Sequence, residues 1–150
     1  MLQGFHHAAI STPDLERALR FNKGLLGCET VREFGWPAGI AAADALTGLK
    51  DSAARAVLLK LGDSFLEIFE FSSPKPQPGD PDRPACDHGI THICLAVKDC
   101  QYEYQRLQAA GMRFHAPPQA QDGGFVCYGR DPDGNIIELL EFAGLAANQP

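Results

Sequence analysis

The chain is short of positive charge and has no long apolar run, and both shortages narrow what it can do. Lys and Arg number 13 against 19 Asp and Glu, for a formal net charge of −6. No basic face is therefore expected to neutralise phosphates, and nucleic acid is not an expected partner. No stretch approaches the roughly 18 uninterrupted apolar residues of a membrane span, so no membrane is expected either. Met1-Leu2-Gln3-Gly4-Phe5-His6 lacks the basic-then-apolar pattern of a secretory leader. Cys28, Cys86, Cys94, Cys100 and Cys127 are odd in number and never spaced as CxxC. That usage points to thiols in a reducing cytoplasm rather than a disulfide frame or a zinc knuckle.

What the chain does have is a pattern written twice, and a repeat is the first thing to seek because missing it miscalls a fold. His7-Ala8-Ala9-Ile10-Ser11-Thr12-Pro13-Asp14 and His92-Ile93-Cys94-Leu95-Ala96-Val97-Lys98-Asp99 each open an apolar run with histidine and close it with aspartate. Downstream of each lies a second match, Glu67-Ile68-Phe69-Glu70-Phe71 and Glu138-Leu139-Leu140-Glu141-Phe142. The stretch from His7 to Glu67 is longer than that from His92 to Glu138, so the first copy carries an insertion. Gly35-Trp36-Pro37-Ala38-Gly39 breaks strand geometry and places that insertion between Gly35 and Arg55.

Within each copy the periodicities predict βαβββ. Residues 7–12 read as a strand, with His7, Ala9 and Ser11 on one face and Ala8, Ile10 and Thr12 on the other. A helix then runs from Asp14 to about Leu25, with Leu15, Ala18, Leu19 and Leu25 at helical spacing and Gly27 to end it. Strands follow near 29–33, 54–61 and 64–71, the last two joined by the turn Gly62-Asp63. In the second copy Asp99 opens the helix and Gly111 ends it. Strands are expected near 113–116, 124–130 and 135–142, with Asp131-Pro132-Asp133-Gly134 as the turn. The reading is one α+β domain over 1–150, with a first module at 5–71 and a second at 88–142. Between them, 72–87 is a linker rich in proline, which has no ladder donor and a fixed φ.

The repeat supplies two imidazoles and two carboxylates. If His7, Glu67, His92 and Glu138 all face one hollow, they form a donor set for a single divalent ion: Zn, Ni, Co, Fe or Mn. A lone histidine at a strand start is more often a hydrogen-bonded structural residue, and a strand glutamate more often faces solvent. Their recurrence at matching points of a repeat favours the metal. His6 is expected on the opposite side from His7 in a structural role. Glu70 and Glu141 are expected at the surface or an interface. Trp36 either lines a pocket mouth or packs the insertion.

These segments resemble the vicinal oxygen chelate superfamily, which includes glyoxalase I, methylmalonyl-CoA epimerase, extradiol dioxygenases and drug-resistance proteins. The resemblance rests on His7–Ile10, Pro13–Ala18, Leu25–Gly27 and Phe65–Ile68 in the first copy. In the second it rests on His92–Asp99 and Gly129–Leu139. It implies paired βαβββ modules forming a curved mixed sheet around a metal cup, with His7, Glu67, His92 and Glu138 as ligands. It also implies a lyase or isomerase of the glyoxalase I or epimerase kind, abstracting a proton next to a carbonyl through a metal-stabilised enolate. Glu138 is the first choice for the proton shuttle and Glu67 the second. The expected partners are a small substrate with vicinal oxygens or a thioester, and a second copy in a homodimer. Many relatives carry Phe-Tyr in the first helix where this chain has Phe21-Asn22. Two alternatives stay open: an Fe(II) extradiol-type dioxygenase, which Glu67 argues against by filling a coordination position, and a non-enzymatic small-molecule-binding or resistance module.

Overall fold

The computed structural model describes residues 1–142. It divides into two compact units, the first ending at Pro78 and the second starting at Gly79. Each is built on its own mixed sheet. In the first unit the elements are β1 (His7–Ser11), α1 (Leu15–Leu19, continuing as a π-helical turn over Arg20–Leu25), β2 (Glu29–Trp36), α2 (Ala41–Thr47), β3 (Ala53–Leu61) and β4 (Ser64–Ser73). The strand order is β1-β4-β3-β2, with β1 parallel to β4 and the other pairs antiparallel. The second unit has β5 (Ile93–Ala96), α3 (Cys100–Ala109), β6 (Arg113–Phe114), β7 (Gln119–Gln121), β8 (Gly124–Arg130) and β9 (Ile136–Glu141). Its order is β5-β9-β8-β6, with β7 also paired to β8.

Each helix packs on one face of its sheet. In the first unit Leu15, Ala18 and Cys28 meet Val57, Leu59 and Ile68, alternate residues of β3 and β4. In the second, Cys100 and Leu107 are buried along with Cys127 and Leu139. The five cysteines are free thiols, and the Cys100 and Cys127 sulfurs lie 3.8 Å apart.

The glutamates three places beyond Glu67 and Glu138 are not surface residues awaiting an interface, as the sequence led us to expect. Asp14 caps α1 by accepting from Arg17 N at 2.9 Å, and Glu70 accepts from Leu15 N at 3.3 Å. The second unit repeats the device: Asp99 accepts from Tyr102 N and Glu141 from Cys100 N, both at 2.8 Å. Each helix start therefore has two carboxylates on amides that its own ladder leaves unpaired, where the helix dipole also favours negative charge. Glu70 is further held by Arg55 at 2.7 Å.

Three local departures have physical causes. The expected single helix to Leu25 loosens at Arg20. There the buried Asn22 side chain donates to Ala18 O at 2.9 Å, competing with the backbone ladder. The expected strand at 113–116 stops at Phe114 and resumes as β7 beyond Pro117-Pro118, a pair that cannot donate to a ladder. The division between units falls inside the proline-rich span. Beyond it, the Asp82 carboxylate pairs with Arg113 at 3.0 Å and Arg83 O accepts from Arg130 at 2.9 Å.

Replacing Glu70 or Glu141 by alanine is expected to lower stability by about 1 kcal/mol each, the usual worth of a helix cap, as read by urea unfolding. Burial pushes the Cys127 thiol from its ordinary 9.0 up to about 12 and raises Cys100 as well. A raised thiol contributes stability that is complete below pH 9.0 and is lost as pH climbs towards about 12. Urea midpoints measured across that window should therefore fall more steeply for the native chain than for Cys127→Val.

Candidate functional site

Parallel or antiparallel, residues opposite one another in a sheet share a face. His7 lies opposite Phe65 and Ala9 opposite Glu67, so His7 and Glu67 share the face that the helix does not cover. Their Nε2 and Oε2 atoms stand 3.5 Å apart. In the second unit His92 directly precedes β5, and Cys94 lies opposite Glu138. The His92 Nε2 and Glu138 Oε2 atoms are 3.0 Å apart, while His92 Nδ1 is 2.8 Å from Thr91 Oγ1. The carboxylates are more sheltered than the imidazoles: 17% against 37% exposed in the first pair, 13% against 31% in the second. The sequence-derived candidates are thus brought together as two pairs, each described within its own unit. Among the described residues, no group of three or more His, Cys, Asp or Glu side chains is close enough to hold a metal ion.

The donor chemistry of each pair suits a cation. Metal–nitrogen and metal–oxygen bonds of about 2.1 Å put two ligands on adjacent corners of a tetrahedron or octahedron about 3.0–3.4 Å apart. Separations of 3.0 and 3.5 Å match that edge, and the same spacing equally serves an imidazole–carboxylate ion pair.

The two pairs differ in their surroundings. Tyr128 lies across from Glu138 on β8, and its Oη donates to Glu138 Oε1 at 3.1 Å. The Tyr128 and His92 rings meet edge to face with centroids 5.2 Å apart. Burial first, and then Glu138, raises the Tyr128 phenol above its ordinary value and pushes the neighbouring Cys94 thiol up to about 12. In the first unit the matching positions are Ala9 and Leu58, whose side chains carry no donor.

Tyr128 and Cys94 were missed in the sequence, although a signal for Tyr128 was there. The Asp131–Asn135 turn closes a hairpin that pairs Arg130 with Ile136, and counting outward pairs Tyr128 with Glu138. That turn is rigid: the Asp131 carboxylate accepts from Asp133 N, Asn135 N and Asn135 Nδ2 at 2.8–2.9 Å. His6 corrects another expectation. It stacks on Phe65, centroids 4.9 Å apart, and its Nδ1 is 2.8 Å from His7 Nδ1. It therefore lies beside His7 rather than opposite. Alternation of faces applies only within a strand, and β1 begins at His7.

A sequence model described as the Glyoxalase/Bleomycin resistance protein/Dioxygenase superfamily matches residues 4–139. Among characterised proteins, a 2-epi-5-epi-valiolone epimerase from Actinomyces sp is 30% identical over 147 residues, covering 90% of this chain and 77% of that one. The structure resembles a glyoxalase family protein from Bacillus cereus with a TM-score of 0.85 at 21% identity, over 96% of this chain and 97% of that one. It also resembles a fosfomycin resistance protein from Mesorhizobium loti, with a TM-score of 0.62 at 20% identity over 97% and 96% of the two chains. At those identities the structural likeness speaks for the fold alone. Among the described residues no helix is long and apolar enough to cross a membrane.

A double-mutant cycle on Tyr128→Phe and Glu138→Ala, read by urea unfolding, should give a coupling of about 1 kcal/mol or more, as expected for a hydrogen bond to a carboxylate.

Proposed function

Since the chain belongs to the Glyoxalase/Bleomycin resistance protein/Dioxygenase superfamily, we propose that it is a divalent-metal-dependent isomerase or lyase that removes a proton from a carbon next to a carbonyl. Members of this superfamily commonly use a divalent metal, bind small molecules and form dimers. The observation that carries the reading is the duplicated pair: at the same point of each repeat, one imidazole and one carboxylate stand at ligand-edge distance. The proposed ligands are His7, Glu67, His92 and Glu138, with the pairs drawn from one chain or from the two chains of a homodimer. Zn, Ni, Co, Fe or Mn all suit this nitrogen and oxygen set. When bound, such an ion supplies positive charge that favours an enolate oxygen over a neutral carbonyl.

The remaining work falls to the chain's own side chains. A carboxylate takes the proton from carbon, leaving the electron pair on the enolate, and then returns it. Return to the opposite face inverts the centre, and return to the neighbouring carbon isomerises the substrate. Glu138 is the first candidate for this shuttle and Glu67 the second. Tyr128 steadies Glu138 by occupying one of its oxygens, leaving the other towards His92. Similarity to a protein named as an epimerase supports inversion over rearrangement of a hemithioacetal.

The test is proton exchange in D₂O with the metal-loaded protein and three substrates: 2-epi-5-epi-valiolone, methylmalonyl-CoA, and methylglyoxal with glutathione. One of them should take up deuterium next to its carbonyl, and EDTA should abolish the uptake. Glu67→Ala and His92→Ala should each lower metal content and slow exchange by about 100-fold or more. Silence with all three substrates, or exchange indifferent to EDTA, would sink the proposal.

A further inference from the structure

The face of the first sheet that carries Glu67 also carries four aromatic rings that the helix-covered core does not use. Register places them: Phe69 is opposite Ala56, which is opposite Phe34, and Phe71 is opposite Ala54, which is opposite Trp36. The central strand offers only methyl groups at those two positions. Rings from β2 and β4 therefore lean over it and meet, burying Ala54 and Ala56 to 5% and 1% exposure. Phe34 and Trp36 meet Phe69 edge to face at 5.9 and 6.2 Å, Trp36 meets Phe71 at 6.1 Å, and Phe69 stacks on Phe71 at 5.5 Å. All four rings stay half-buried.

The insertion fixes one edge of this wall. Trp36 Nε1 donates to Ser52 Oγ at 3.0 Å, and Ser52 Oγ donates in turn to Asp44 Oδ1 at 2.7 Å. Asp44 lies on α2 and also accepts from the amides of Ser52 and Asp51, at 2.7 and 2.8 Å. Hydrogen bonding from Ser52 holds the Asp44 carboxyl below its ordinary range. Ser52 is fully buried, so the indole orientation is set by a relay with little freedom. The extra length of the first copy thus goes into aiming a tryptophan.

Residues two apart on a strand are about 7 Å apart. Phe69 therefore follows Glu67 at about the width of one flat ring, on the same face and with no polar group between them on β4. From this continuity, resting on the proposed metal chemistry, we infer that Phe34, Trp36, Phe69 and Phe71 form the subsite for a flat apolar substituent attached directly to the substrate's chelating oxygens. The Asp44–Ser52 relay positions Trp36 for it. A polyhydroxylated ring in that place would turn hydroxyls onto aromatic carbon with nothing to accept or donate, a costly arrangement. The subsite therefore separates substrates by what they carry beside the carbonyl.

Two hydroxamates test this, because they share one chelating head and differ only in the attached group. Benzohydroxamate and acetohydroxamate are titrated into the zinc-loaded full chain by calorimetry, with emission from Trp36, the single tryptophan, followed in parallel. Benzohydroxamate should bind about tenfold or more tighter and change the Trp36 emission, and acetohydroxamate should leave that emission nearly unchanged. The affinity ratio should fall towards one in Trp36→Ala and in Phe69→Leu, which keeps bulk but loses the flat face, and part of the way in Ser52→Ala. Equal affinities in the native chain, or a ratio that survives Phe69→Leu and Ser52→Ala, would overturn the subsite and leave the metal reading standing. Failure of both hydroxamates to bind would overturn the metal reading and this inference with it.

Discussion

Two strands, β4 and β9, carry the organisation of this protein because each must satisfy different demands on its two faces. Towards the helix, Ile68 and Leu139 enter the core, and Glu70 and Glu141 reach the first helical amides. Away from it, Glu67 and Glu138 stand beside a histidine. A slip of one residue in either register would exchange the two sets, sending a charge into the core and an aliphatic side chain to the site. The carboxylate caps add a second constraint: they tie the register of the strand to the start of the helix. The placement of Glu67 is thus determined by contacts on the face it does not occupy.

The duplication was legible in the sequence because it is a matter of order and spacing. The strands, the helices with their aspartate caps, and the two His–Glu pairs follow from alternation and from the repeat. What escaped was set by contacts between elements. Glu70 and Glu141 look like surface charge until a helix start is placed above them. His6 sits outside the strand whose periodicity was applied to it. The break of the first helix at Asn22 depends on where a buried amide finds an acceptor. For Trp36 the two readings, packing the insertion and lining a pocket, turn out not to exclude each other, since Ser52 and Asp44 hold the ring on the face that bears Glu67.

The copies have also ceased to be equivalent. Around Glu138 the second unit has a phenol and a thiol, where the first has Leu58 and Ala9 around Glu67. The first unit instead has α2 and a wall of aromatic rings. One repeat has elaborated the polar setting of its carboxylate and the other the apolar setting beside it. Such a division of labour suits a reaction that must both handle a proton and grip the part of a molecule that does not react.

The two alanines beneath the rings have a consequence for how such a surface diverges among descendants. Their methyl groups act as the floor on which four aromatic side chains rest. Branching either one would tilt every ring above it while changing none of them. Acceptance of a new guest molecule is therefore open to adjustment from below, by single-carbon changes at positions that solvent never reaches.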